Sequence, residues 1–142
     1  MENFVAANAE SLSRLRVFLD RARDGDLVRS LPDGRTGKEI LAHLAFYDQR
    51  ALALMKYWST AGVQASPIDP DIVNEALVPL LQQLPARAAR DLVLQAAESI
   101  DALIADAPAA LIRAILARAT QFHLARAIHR NAHLEELESL LA

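Results

Sequence analysis

The sequence predicts an all-α fold, a four-helix bundle with a crossover loop and one short extra helix. Three observations carry this. Apolar residues recur at spacings of three and four over long stretches. Much of the 53% hydrophobic fraction is alanine and leucine, both strong helix formers. Glycine is limited to four residues, and β-branched residues rarely alternate with polar ones. At 142 residues the chain is long enough to bury its own core, so residues 1–142 read as a single domain.

The first helix is expected from about Asn3 to Arg23, with Val5, Ala9, Leu12, Leu15, Leu19 and Ala22 as its inward stripe. Asp24-Gly25 stops it. Asp26 to Arg35 is a connection that closes on the turn signal Leu31-Pro32-Asp33-Gly34. Thr36-Gly-Lys-Glu39 has capping-box spacing, in which the Thr36 hydroxyl accepts from the Glu39 amide and the Glu39 carboxylate reaches back to that of Thr36. The second helix follows to about Ser59 with Ile40, Leu44, Tyr47, Ala51, Leu54, Met55 and Trp58 inward. His43 falls inside that stripe. Ala61 to Pro70 is a loop of crossover length. Asp71 is placed to cap a short helix to about Leu84, which Pro79 would kink or split. Pro85 precedes a helix from about Ala86 to Ala105, carrying Ala89, Leu92, Ala96, Ile100 and Leu103 with Val93 and Ile104 beside them. Asp106-Ala107-Pro108 breaks it. Ala109 to Leu141 contains no Gly or Pro, and is either one long helix or a short helix, a break near Ala119-Thr120 and a longer one.

Composition narrows the function. A net charge of −3, with basic residues scattered among acids, argues against nucleic-acid binding, which needs a concentrated basic face. Without cysteine there is no disulfide, thiolate metal site or cysteine nucleophile. No apolar run approaches the roughly 18 residues of a membrane span, and the N-terminus has no secretory pattern. The expectation is a soluble cytoplasmic protein.

The chemistry concentrates in the histidines. On a helix, the spacing in His129-Arg-Asn-Ala-His133 puts both imidazoles on one face, about 5–6 Å apart at Cβ. Two neutral imidazoles so placed can share a divalent cation, with a third ligand from elsewhere in the fold. His43, pointing inward from the second helix, is the candidate; His123 lies about a third of a turn from His129 and is the poorest of the four. Against this stands the plainer reading of satisfied core histidines. Three inward histidines on neighbouring helices are costly to bury without partners, and one metal satisfies all three.

Asp33-Gly-Arg-Thr-Gly-Lys-Glu-Ile-Leu-Ala-His43-Leu-Ala-Phe-Tyr-Asp-Gln-Arg50 resembles the second-helix signature of the DinB-like (DinB/YfiT-like) superfamily. Its members include the mycothiol-dependent maleylpyruvate isomerase metal-binding domains and ClbS/DfsB-type bundles. His129-x-x-x-His133-Leu-Glu-Glu-Leu is similar to that family's closing metal motif, and Asp71 to Asn74 suits the start of its third helix. Arg35 stands where the family usually has Trp. The resemblance implies one divalent metal, zinc or nickel, on His43, His129 and His133, with open positions for water or substrate. It also implies a thiol-dependent transferase or isomerase, with metal-assisted hydrolysis second. The thiol would have to come from a low-molecular-weight cofactor. Some ClbS-like members work without metal, so the alternative is a non-catalytic bundle that binds or sequesters a small molecule, its metal absent or structural. A homodimer through an alanine-rich face is a family-level expectation.

Glu136, one turn beyond His133, has several roles open: a fourth ligand, an acceptor orienting an imidazole N–H, a catalytic base, or a rim acid. Tyr47 and Asp48, following His43, either line the pocket or take plainer places, Tyr47 in the core with its hydroxyl bonded and Asp48 solvated. Arg126 and Arg130 are expected either to attract an anionic substrate or to lay their stems along the bundle with the charged heads in water. Trp58 and Met55 read as core.

Overall fold

The computed structural model describes residues 3–141, and its elements are helical. Asn3 caps α1, Phe4–Arg21, by accepting from the Ala6 amide at 3.2 Å. The buried face of α1 is Phe4, Asn8, Ser11, Leu12, Leu15 and Phe18. The expected stripe is therefore correct at Leu12, Leu15 and Ala22, while Phe18 is buried and Leu19 only half-buried, and it is one residue out of phase before Leu12, leaving Val5 42% exposed. The cause is polar: Asn8 and Ser11 turn inward to hydrogen-bond the C-terminal segment. α1 ends two residues early, and a single helical turn, α2 (Asp24–Leu27), takes up the expected stop Asp24-Gly25 and the first two residues of the expected connection, and buries Leu27.

The turn before the next helix forms as its residues require. Gly34 adopts φ of 95°, a left-handed conformation that side chains disfavour, and its amide donates to the Leu31 carbonyl at 2.9 Å. Thr36 then caps α3, Gly37–Ala61, accepting from the Glu39 amide at 3.3 Å. The return half of the expected capping box is replaced by a side-chain bond, the Thr36 hydroxyl donating to Glu39 Oε1 at 3.1 Å. Gly37 permits close packing here, because a Cβ at this position would sit 2.9 Å from Leu140 Cδ1 and 3.1 Å from Leu27 Cα.

After the loop, α4 (Pro70–Gln83) is capped by Asp69 rather than Asp71, with Pro70 as its first residue, where a missing N–H costs nothing. It runs through Pro79 as one helix. None of its side chains is buried; it packs on α3 and leaves Ile72 and Leu80 exposed. α5 (Ala86–Asp106) buries Ala89, Val93, Ala96, Ala97, Ile100 and Ile104, so its stripe centres on Val93 and Ile104 and leaves Leu92 at the rim. The C-terminal stretch follows the broken alternative: α6 (Ala109–Arg118), an irregular segment, α7 (Ala127–Glu138) and a closing 3-10 turn, Ser139–Leu141.

α1 packs on α5 and α7, and α3 also packs on α5 and α7, so these four helices touch in the cyclic order α1, α5, α3, α7. Their core falls into two apolar clusters. One gathers Leu12, Leu15, Phe18, Ile40, Leu41, Leu44, Val93, Leu134 and Leu137; the other gathers Phe4, Ala51, Met55, Trp58, Ile100, Ile104, Ile115 and Leu124. The buried polar residues Asn8, Ser11, Asp48, Arg126 and Arg130 lie between them along the chain on α1, α3 and the start of α7. No helix is long and apolar enough to cross a membrane among the described residues.

Candidate metal centre

His43 projects from α3 one turn after the buried Ile40, and α7 presents His129 and His133 one turn apart on its own face. The α3–α7 contact brings the three rings together. His129 Nε2 lies 3.1 Å from His43 Nε2 and 3.1 Å from His133 Nε2. Ring centroids are 4.7–5.1 Å apart, all edge to face. These are the three histidines singled out from the sequence. His123 is exposed and stands apart from them at the rim of the adjoining cavity.

The nitrogen geometry fits a cation. His133 Nδ1 meets Glu136 Oε1 at 2.5 Å, which assigns a proton to Nδ1 and leaves the Nε2 lone pair facing the other rings. A single N–H at His129 Nε2 cannot serve two nitrogens on different sides with good geometry. An ion that accepts one lone pair from each ring satisfies all three at once. A tetrahedral zinc, with Zn–N of about 2.0–2.1 Å, separates its ligand nitrogens by about 3.3 Å, close to the observed 3.1 Å. Electrostatics agree. Burial, followed by the neighbouring His133, pushes His43 down to about 4; burial, followed by His133 and His43, pushes His129 down to about 3. Both rings are therefore neutral near pH 7, the form that can ligate.

Glu136 is itself held. Arg35 grips it through two nitrogens, NH1 donating to Oε1 at 3.3 Å and NH2 donating to Oε2, while Arg35 also bonds Asp33 at 2.7 Å. Burial works to raise the Glu136 carboxyl, but the hydrogen bonds from Arg35 and His133 outweigh it and keep its pKa below the usual carboxylate value. Arg35, at the position where a tryptophan was expected by resemblance, thus fixes the acid that fixes His133. Tyr47 packs its ring 5.0 Å from His43 and 5.5 Å from His129, and its hydroxyl donates to Asn74 Oδ1 at 2.6 Å. The hydroxyl is bonded as expected, and of the two places open to Tyr47 the structure shows the cavity wall, half-buried, rather than the core. Trp58 and Met55 are core.

Three expectations need correction. Asp48 is 4% exposed, not solvated: it accepts from Arg126 Nε at 3.0 Å and from Arg130 NH2 at 3.4 Å. Arg130 is 2% exposed and makes a two-pronged pair with Asp101, both distances 2.9 Å. Neither Arg126 nor Arg130 keeps its charged head in water, and neither is free for a substrate anion. A signal for this was present. Asp48 continues the buried Leu41, Leu44, Ala45 row at helical spacing, and Arg130 lies between the buried Ala127 and Leu134. A charge in phase with an apolar stripe is a buried charge, and buried charges come in pairs.

The histidines open onto a cavity of about 690 Å³ between α3, α4 and the C-terminal segment. All three line it, with Tyr47, Asn74, Phe122 and a largely apolar wall of Ile40, Ile68, Val78, Leu81 and Ile128. Among the described residues no carboxylate joins the trio as a fourth ligand within the same small radius. Compared with family models, with curated proteins and with solved structures, the chain matches none.

Proposed function

We propose that the protein is a metal-dependent small-molecule enzyme of the DinB-like type, a four-helix bundle in which His43, His129 and His133 hold one zinc or nickel ion. The observation that carries the reading is the convergence of three Nε2 atoms at the wall of a cavity, with distances of 3.1 Å and no fourth protein ligand closing the group. Three nitrogens plus an open position is the arrangement of catalytic rather than structural zinc. The cyclic packing of α1, α5, α3 and α7 supports the bundle.

When bound, the ion supplies a Lewis acid that polarises a carbonyl or lowers the pKa of a thiol. The chain's own residues do the rest. Glu136 accepts from His133 Nδ1 on the side of the ring away from the other histidines, which favours an orienting role over ligation or proton abstraction. Tyr47, tethered by Asn74, forms the wall beside two of the histidines. Thiol transfer or isomerisation is the first reaction class, and with no cysteine in the chain the thiol comes from a small molecule.

The test is elemental analysis of tag-free, chelator-free protein beside His43→Ala and His133→Ala. Near-stoichiometric zinc or nickel in the wild type, lost in both variants, is the expected result. A metal-free wild type that also refuses added zinc and nickel would overturn it and leave a bundle that sequesters its ligand.

A further inference from the structure

Three arginines line the cavity, and two are already matched by acids. Arg126 is paired with Asp48, and Arg35 with Asp33 and Glu136. Arg50 is different. Its NH2 donates to the Ser66 carbonyl at 2.7 Å and reaches the Ser66 hydroxyl at 3.5 Å, and no carboxylate pairs with it among the described residues. A guanidinium carries five N–H donors in a planar fork. The 2.7 Å contact takes one NH2 hydrogen, and the other, together with either Nε–H or NH1–H, leaves one two-pronged fork available.

The placement of Arg50 gives the cavity a direction. Arg50 and His43 lie seven residues apart on α3, which is nearly two full turns, so both side chains leave the same face about 10 Å apart along the axis. Tyr47 stands between them. The opposite end of this face carries Glu39, about 16 Å from Arg50 by the same rise per residue. Around and beyond Arg50 the wall is mixed, with Ala51, Ile68, Phe122 and Ala125 as apolar surface and Gln121 and His123 among them. An anionic group is repelled at the Glu39 end and matched at the Arg50 end.

We infer that the cavity takes a small organic carboxylate with an apolar body, its carboxylate on the Arg50 fork and its other end at the histidines. A planar guanidinium matches a carboxylate with two parallel hydrogen bonds, a recognition that lysine cannot reproduce. The anion-binding role expected for Arg126 and Arg130 thereby passes to the cavity arginine whose charge is left over. The inference rests on the cavity being the substrate site, but not on the ion.

The experiment compares 4-phenylbutyrate with its uncharged primary amide by calorimetric titration, in chelator-treated and in zinc-loaded protein. The wild type should prefer the carboxylate by about 10-fold or more, the usual worth of a hydrogen bond to a charged group, in both preparations. Arg50→Met should abolish the preference while leaving amide affinity in place, and Arg50→Lys should keep part of it. A loosened loop at Ser66 would weaken both probes equally, so the amide serves as the internal control. Preference that survives Arg50→Met but vanishes in His43→Ala would put the carboxylate at the histidines and overturn the assignment. So would a wild type that binds neither probe. Failure of zinc uptake would overturn the metal reading alone, since the Arg50 preference is measured in metal-free protein as well.

Discussion

Asp48→Ala tests the buried polar network most directly. Among the described residues the carboxylate is the sole acid partner of Arg126, which is 8% exposed, and its removal leaves that guanidinium with the carbonyls of His123 at 3.2 Å and Tyr47 at 3.3 Å and the face of the Phe122 ring. Arg130 loses a 3.4 Å contact but keeps both bonds to Asp101. Stranding one buried charge costs about 3–5 kcal/mol. With a urea slope of about 2 kcal/mol per M, the midpoint falls by about 1.5–2.5 M. Urea titration followed by circular dichroism, with chelator present throughout, reads this without interference from metal. The double variant Asp48→Ala/Arg126→Met removes the stranded charge as well and should be more stable than Asp48→Ala alone. A loss under about 1 kcal/mol, the scale of a surface ion pair, or a double variant no better than the single, would refute the claim that this pair is buried and coupled.

Two further outcomes follow from the histidine end. Glu136→Ala removes the acceptor at His133 Nδ1 without removing a ligand, so zinc affinity measured against a chromophoric chelator should fall about 10- to 100-fold; complete loss of binding would make Glu136 a ligand, and no change would dismiss its orienting role. The metal-free protein should also be acid-sensitive. His43 and His129, pushed down from 6.5 to about 4 and about 3, bind fewer protons folded than unfolded, so their contribution is intact above about pH 6.5. It is lost as the pH falls below that value, through 4 and then 3. Urea midpoints in chelator should decline between pH 6.5 and 5, less steeply in His129→Ala; a flat profile, or the same slope in that variant, would contradict the buried neutral rings.

The helical class and the gathering of three histidines were legible because their signals are local. The Thr36 cap, the inward phase of His43 and the four-residue spacing of His129 and His133 each depend on a few neighbouring residues. What escaped depends on distant partners. The phase of α1 is set by Asn8, whose amide nitrogen donates to the Leu124 carbonyl at 2.9 Å and whose oxygen accepts from the Ala127 amide at 3.0 Å. That same residue helps set where α7 begins, since it engages the backbone on either side of the helix start. No Gly or Pro marks the spot, so the break spreads over the irregular segment before Ala127 rather than at Ala119-Thr120 alone. Arg35 and Arg50 were missed as site residues for a similar reason. Their meaning lies in which acids are near them, and for Arg50 in which are not.

The polar belt that was hardest to read also explains why the site can be exact in distance. Apolar contact is non-directional, so a bundle cored only with leucine and alanine resists separation of its helices better than it resists rotation of one helix about its axis. Asn8, Ser11, Asp48, Asp101, Arg126 and Arg130 join α1, α3, α5 and the start of α7 with directional bonds, and no buried side-chain nitrogen or oxygen among the described residues lacks a partner. His129 and Arg130 are consecutive on α7, about 100° apart around the helix. Turning His129 away from His43 would therefore pull Arg130 off Asp101 and Asp48, and sliding α7 by a turn would also break the Asn8 and Ser11 bonds. The 3.1 Å between His43 and His129 is thus held by the buried ion pairs of the neighbouring Arg130, about 100° around α7 from His129. Asp101, with two bonds of 2.9 Å to Arg130, is the main anchor of that geometry, and Asp48 adds the 3.4 Å contact that links it to the Arg126 pair.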